Sequence, residues 1–371
     1  MRSLTSATSL QGVILTPPAP DQVEVSVFGP GVGECVVIHL GNGEWMVVDS
    51  CVRTGSKTPI AVEYLRNLGL NVAQSVKSVV ATHWHDDHVK GISSLLREAT
   101  NARFYAAGVF RRDEFLAVSQ RRHVASKFTS GVEELASVRA IIAERKAAGG
   151  GALETVTAVN RISASPDRAV REIWALSPSA EDAERGFEHI ASIIDSVAGK
   201  AARLPSLPPN DVSVVLHLET PVGGILLGGD LEHHPSTRAR GWHAVLDHPG
   251  RPIGASTFYK IPHHGSENAD CPEIWQHLLK SQPICVLTPF ERGKTPLPRP
   301  SDIERLQTRV DKIFVTSTRR YAAARRDRAV DKVINEAIRS FRPNNLQMGH
   351  IQARVVDDEW IVRGNDAAAV L

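Results

Sequence analysis

Six consecutive residues, HWHDDH at 83–88, constrain this chain more than anything else in it. They bring three histidines and two aspartates directly behind the apolar stretch VKSVVAT. A short apolar run of that kind reads as a buried strand. The cluster therefore falls at a strand's C-terminal end, where α/β proteins gather their sites. His83 and His85 are separated by one residue, so in extended chain both imidazoles face the same side. Asp87 and His88 follow on the turn into VKGISSLLREA, which has helical periodicity. Imidazoles and carboxylates are the donors used by zinc and similar divalent ions, and the cluster offers more of them than one tetrahedral ion takes from a single side. Trp84 reads as a packing residue and Asp86 as a supporting one.

Other strand ends repeat the pattern and weigh against a merely solvated histidine-rich turn. WMVVDS ends in Asp49, ILLGGD puts Asp230 after an apolar strand and a Gly-Gly turn, and FYKIPHHGS puts His263 and His264 after another. Spacing alone does not separate His263 from His264. Lys260, just before them, either meets a phosphate or ends its strand facing solvent. The loop GPGVGE lacks the spacing and the lysine of a phosphate-binding P-loop and reads as a tight turn beside the site. No GxSxG is present, so a serine hydrolase has no support.

Along the chain, VEVSVFG, ECVVIHL and EWMVVDS read as strands. After them, helices (TPIAVEYLRNLGL, VKGISSLLREA) alternate with strands (VKSVVATH, ARFYAA). That order predicts a layered α/β (α+β) protein. Residues 1–20 read as a loose leader without a signal peptide's apolar core, and 21–371 as a single domain. About 108–205 reads as a helical insertion or cap holding one strand, REIWALSPS. RLPSLPPND is a linker. VSVVLHLETPVGGILLGGD gives two strands, and a helix follows around 236–247. PICVLTP, KIFVTS, a helix at 327–341, HIQARVV and EWIVRG complete the chain, with LPRP as the rigid entry to another helix.

The 371 residues carry 43 Lys+Arg against 41 Asp+Glu, a formal charge of +2, so no global basic field points to nucleic acid. Local clusters remain: Arg111, Arg112, Arg121, Arg122 and Lys127, and then Arg319, Arg320, Arg325, Arg326 and Arg328. Either suits a phosphate backbone or a solvated helix face. No apolar run approaches the roughly 18–20 residues of a membrane span. Four cysteines without a close pair suit a reducing compartment, with the cytoplasm expected.

HWHDDH matches the HxHxDH motif of the metallo-β-lactamase fold hydrolases, and the order Asp49, His83, His85, Asp87, His88, Asp230, late histidine matches theirs. The resemblance spans about Val23 to Gly364, interrupted by the insertion. NDVSVVLHLETPVGGILLGGDLE followed by YKIPHHGS resembles most the ComEC-like hydrolase domain of competence DNA-uptake proteins. It is also similar to the phosphorylcholine-esterase branch. The resemblance implies a four-layered αββα sandwich holding two divalent ions, zinc by default or manganese. It assigns His83 and His85 to the first ion, Asp87, His88 and a late histidine to the second, and Asp230 to bridge them. Asp49 would orient a ligand histidine. His264 is favoured as ligand and His263 as a substrate-facing acid or phosphate contact, which makes Asp87, His263 and Asp49 the catalytic candidates. Many members have one further ligand histidine; His123, His189 and His217 are candidates here, and Asn210 or water is the alternative. The implied activity is hydrolysis by a hydroxide held between two ions, most simply of a phosphodiester, with DNA or RNA as partner. Small ester, lactone or phosphorylcholine-type ester hydrolysis is a second reading. A scaffold or regulatory subunit with a structural metal site and a protein partner on the helical insertion is a third.

Overall fold

In the computed structural model the described residues are 10–30, 33–108, 130–150, 153–197, 209–291, 296–318 and 347–371. One eight-stranded sheet contains β1 (Glu24–Gly29), β2 (Cys35–Gly41), β3 (Glu44–Val48), β4 (Val76–Ala81), β5 (Arg103–Ala107), β6 (Leu153–Val156), β14 (Gly349–Val356) and β15 (Glu359–Gly364), in the order β15-β14-β1-β2-β3-β4-β5-β6. The other contains β7 (Asn160–Ala164), β8 (Glu172–Ala175), β9 (Leu216–Thr220), β10 (Gly223–Leu227), β11 (Ser256–Lys260), β12 (Leu279–Leu287), β13 (Ile313–Val315) and β16 (Ala369–Val370), in the order β16-β13-β12-β11-β10-β9-β8-β7. Helices flank both sheets, giving an α/β sandwich of the metallo-β-lactamase type.

The layering follows from strand periodicity, because successive side chains leave a strand on opposite faces. Ile225, Leu227 and Phe258 share one buried cluster with Ile38, Val47 and Val79 of the other sheet. The alternate residues Leu226 and Tyr259 join Trp242, Ile274 and Leu306 in a second cluster, under the helices outside β10 and β11. Helix Ile60–Asn67 packs in the same way, burying Ile60, Ala61, Val62, Tyr64 and Leu65.

Each sheet mixes antiparallel and parallel pairs. β3 to β6 run parallel, as do β10 to β13. The parallel pairs β3/β4 and β10/β11 therefore send their C-terminal ends the same way. The sheets are joined beside those ends, where the Val214 amide donates to the Thr82 carbonyl at 3.0 Å.

The span 108–205 departs from the expected helical insertion. Its described residues include helices Ser130–Ala147 and Ala180–Val197, but also β6, β7 and β8, which extend both sheets. LETV and NRISA are short, polar and half-exposed, as edge strands are, so they carry little periodic signal. Helix Ser130–Ala147 is fastened to helix Ile92–Glu98. Glu134 accepts from the Gly91 amide (2.9 Å) and the Ser93 hydroxyl (2.6 Å) at one end. Arg145 donates to the Leu96, Ala99 and Ala102 carbonyls at the other. Both basic clusters, His123, residues 109–129 of the expected insertion, the helix expected at 327–341, and most of the linker lie outside the described residues, as does the side chain of His189. Cys35, Cys51, Cys271 and Cys285 are buried and free. No helix among the described residues is long and apolar enough to cross a membrane.

Two buried histidines give the fold an acid limit. Burial pushes the His217 imidazole in β9 down to about 4. It pushes His350, stacked on Phe28 at 4.1 Å, down to about 3. Both fold neutral, whereas the unfolded chain protonates them near pH 6.5. Stability is therefore complete above about pH 6.5 and declines as pH falls toward 4, by roughly 1.4 kcal/mol per pH unit for each group. Denaturant midpoints should drop between pH 7 and pH 5, and His217→Gln should make that drop smaller.

Candidate metal centre

The centre is assembled from turns at the ends of β3, β4, β10 and β11. The first turn carries Asp49 at φ 60°, a left-handed conformation rare for a non-glycine residue. Asp49 Oδ1 accepts from the Thr82 amide (2.7 Å), and Oδ2 accepts from the Thr82 hydroxyl (2.8 Å) and from His88 Nδ1 (2.7 Å). Because Nδ1 donates there, His88 Nε2 is the ring nitrogen turned into the pocket.

His83, on the β4 turn, is fully buried, and its Nε2 lies 3.0 Å from His85 Nδ1 and 3.8 Å from Asp230 Oδ2. The other Asp230 oxygen lies 3.4 Å from His88 Nε2. The Asp230 carboxylate therefore reaches from the His83 side of the pocket to the His88 side. Its amide donates to Ser213 Oγ at 2.9 Å. The preceding Gly229 sits at φ +51°, where a Cβ would lie 2.4 Å from that same Oγ, so this turn needs glycine.

On the β11 turn, His263 and His264 both have positive φ, 45° and 51°. The two side chains part company. His264 Nδ1 donates to the Thr288 carbonyl (2.9 Å), which directs Nε2 to Asp87 Oδ2 at 3.1 Å. His263 instead turns to Asn210, with Nε2 3.3 Å from the Asn210 amide nitrogen and Nδ1 3.8 Å from Glu232. Asn210 is buried, donates to Glu232 at 3.0 Å and leaves its own Oδ1 without a hydrogen-bond partner.

Two donor groups result, His83 with His88 and Asp230, and Asp87 with His88 and His264; in each the ligand atoms lie within 4.8 Å of one another. His88 Nε2 and Asp230 Oδ1 are buried and, although close, not aligned to hydrogen-bond. Buried polar atoms without partners are costly, and these two face a ring of nitrogen and oxygen donors. The residues fit divalent ions.

The electrostatics agree. Burial pushes the His83 imidazole well down, helped by the neighbouring His88 and His85, and burial lowers His85 too. Both rings are held neutral, as metal binding requires. Burial also works against a charge on His88, but Asp230, Asp87 and Asp49 together raise it well above the ordinary histidine range. Burial would raise Asp230 and Asp87, yet His88 and its neighbours hold both carboxyls below the usual range. A bound cation would balance these carboxylates in place of a proton on His88.

Residues 28–127 match the family model described as the metallo-beta-lactamase superfamily. That stretch, which includes the HWHDDH turn, is similar to that superfamily. Members of that superfamily are in general metal-dependent hydrolases. No curated protein matches the sequence. Among solved structures, the metallo-beta-lactamase fold protein YhfI from Bacillus subtilis is 12% identical over 58% of this chain, with a TM-score of 0.31; the match spans 65% of that protein's length. The metallo-beta-lactamase SMB-1 in complex with mercaptoacetic acid is 14% identical, over 62% of this chain and 67% of that one, with a TM-score of 0.34. Likeness this distant carries no argument about substrate.

Lys260 departs from both readings of its sequence position. It neither faces solvent nor meets a phosphate, because it is buried and its ammonium pairs with Glu34 at 2.8 Å. His217 lies mid-strand in β9, outside the donor groups. Trp84 is buried in the core cluster. Glu34 was not legible as a site residue, since a charged residue after a glycine loop reads as a turn. Its amide donates to the Asp87 carbonyl (2.8 Å), and its carboxylate lies 3.6 Å from His264 Nδ1. Gly33 stands beside it, where a Cβ would lie 1.9 Å from the Asp87 carbonyl oxygen.

Three outcomes follow. Gly33→Ala and Asp49→Asn should each weaken metal binding by about 10–100-fold, since they move or release a ligand without removing it; chelator competition measures this. Lys260→Met leaves a buried carboxylate unpaired and should cost roughly 3–5 kcal/mol in denaturant unfolding. Metal binding must displace the His88 proton, so affinity should rise with pH, and calorimetry in buffers of different ionisation enthalpy should show proton release.

Proposed function

We propose that this protein is a two-metal phosphodiesterase acting on DNA or RNA, of the ComEC-like kind. The observation that carries the hydrolase part is the Asp230 carboxylate, placed between His83 and His88 with one oxygen unpartnered. A pair of bound divalent ions supplies Lewis acidity toward a phosphoryl oxygen and lowers the pKa of water. The protein does the rest. His83, His85 and Asp230 would hold one ion, and Asp87, His88 and His264 the other, with Asp230 shared. Asp49 keeps His88 in the tautomer that presents Nε2. Asp87 and Asp230 stay ionised because their histidine neighbours favour the charged forms.

Beyond the ligands, His263 and Asn210 form a polar edge of the pocket, half-open at His263. Nitrogen donors of this kind suit a phosphoryl oxygen or a leaving alkoxide better than they suit an apolar acyl group. The phosphodiester reading also draws on the stretches NDVSVVLHLETPVGGILLGGDLE and YKIPHHGS, and on arginine clusters around 111–127 and 319–328 able to follow a phosphate backbone.

The test is a panel of linear and circular DNA, RNA, small phosphodiesters, lactones and β-lactams, with the purified chain loaded with zinc or manganese. Phosphodiester cleavage is expected, lost by more than about 100-fold in His83→Ala and Asp87→Ala. His263→Gln should keep its metal and lose turnover. Cleavage that survives the ligand substitutions, or turnover confined to lactones or β-lactams, would sink the phosphodiesterase reading.

A further inference from the structure

A second cluster of ligand-type side chains stands outside this centre. His233, His243 and Cys271 each bring a ligand atom, two imidazole nitrogens and Sγ, within 4.8 Å of one another. They come from three places: the loop that follows Asp230, helix Gly241–Asp247, and the residue just before helix Pro272–His277. The thiol is free and buried, and His243 is nearly so.

The two imidazoles meet edge to face at 88°, with Nε2 atoms 3.3 Å apart. His243 Nδ1 lies 3.1 Å from the Thr237 backbone carbonyl, which only accepts. That nitrogen therefore carries the proton, and His243 Nε2 presents a lone pair to His233. A tetrahedral zinc ion with Zn–N bonds of about 2.0–2.1 Å separates two bound imidazole nitrogens by about 3.3–3.4 Å. The observed spacing is the one such an ion imposes. Glu273 Oε2, 3.6 Å from His243 Nε2 and just outside that three-residue group, would swing in as a fourth donor. Its partner Arg238 has a second carboxylate in Asp247, at 2.7 Å, and does not depend on Glu273.

We infer that His233, His243 and Cys271, completed by Glu273, form a further zinc site. Two imidazoles, a thiolate and a carboxylate are donors for a borderline-soft divalent ion, and four protein ligands make a closed, structural site. Binding releases one proton, from the Cys271 thiol, as the Sγ–metal bond forms. The ion would fasten the loop 231–240 to the two helices. That loop carries Glu232, which holds Asn210 at the edge of the first centre.

Cobalt substitution separates the two centres, because no thiol belongs to the first among the described residues. The full-length chain, stripped with chelator and reloaded with Co²⁺, should show a near-ultraviolet thiolate-to-cobalt charge-transfer band. Cys271→Ser and His243→Gln should each remove the band. In both, elemental analysis of the zinc-loaded protein should find one ion fewer per chain than in the wild type. The inference fails if the fully loaded wild type lacks the band. It fails equally if folded Cys271→Ser keeps the band or the full metal content. The wild-type spectrum decides the matter even if a variant does not fold. Neither readout depends on what the first centre hydrolyses.

Discussion

Negative charge is packed into the seam where the two sheets' strand ends meet, and much of the site follows from balancing it. Glu34, Asp49, Asp87 and Asp230 lie there with little or no solvent contact. Unit charges 4 Å apart interact by about 4 kcal/mol at an effective dielectric of 20, so none can be left unanswered. Lys260 answers Glu34 and is thereby taken out of the substrate's reach. His88, in contact with three of the carboxylates' oxygens, is drawn toward its charged form. The charge on Asp87 and Asp230 is what two cations would meet, so the electrostatics and the ligand geometry make the same demand.

The backbone gives that seam its donors by using one device in each sheet. A parallel strand pair, β3/β4 in one and β10/β11 in the other, delivers an aspartate from its first strand's turn and histidines from its second's. Asp49, His263 and His264 all take left-handed conformations there, at a cost of about 1–3 kcal/mol each. Backbone bonds between neighbouring turns hold them: the Asp49 amide to Val80, the His263 amide to Gly229, and Val214 to Thr82 across the sheets. The turns that carry the candidate ligands thus hold three of the left-handed non-glycine residues among the described ones.

The helix Ser130–Ala147 extends this support outward. Through Glu134 and Arg145 it caps both ends of the short helix that follows HWHDDH. A helix of that length is marginal without such partners. The segment read from sequence as an insertion thus serves the scaffold of the metal motif and also completes both sheets.

How much of this was legible depends on the range of each signal. The sequence by itself determined the strands that alternate or run apolar, the turn-borne HWHDDH cluster and the recurrence of aspartate and histidine at other strand ends, because these are local patterns of period and spacing. It missed β6 and β7, whose exposed, polar edges bury too little to leave a pattern. Only the tertiary structure decided which of two adjacent histidines turns inward, since that depends on the Thr288 carbonyl from another strand. Only tertiary structure paired Lys260 with Glu34, 226 positions apart in the chain, and gathered His233, His243 and Cys271 from three separate elements. Side-chain orientation and long-range charge pairing arise when distant segments pack, and no local spacing encodes them.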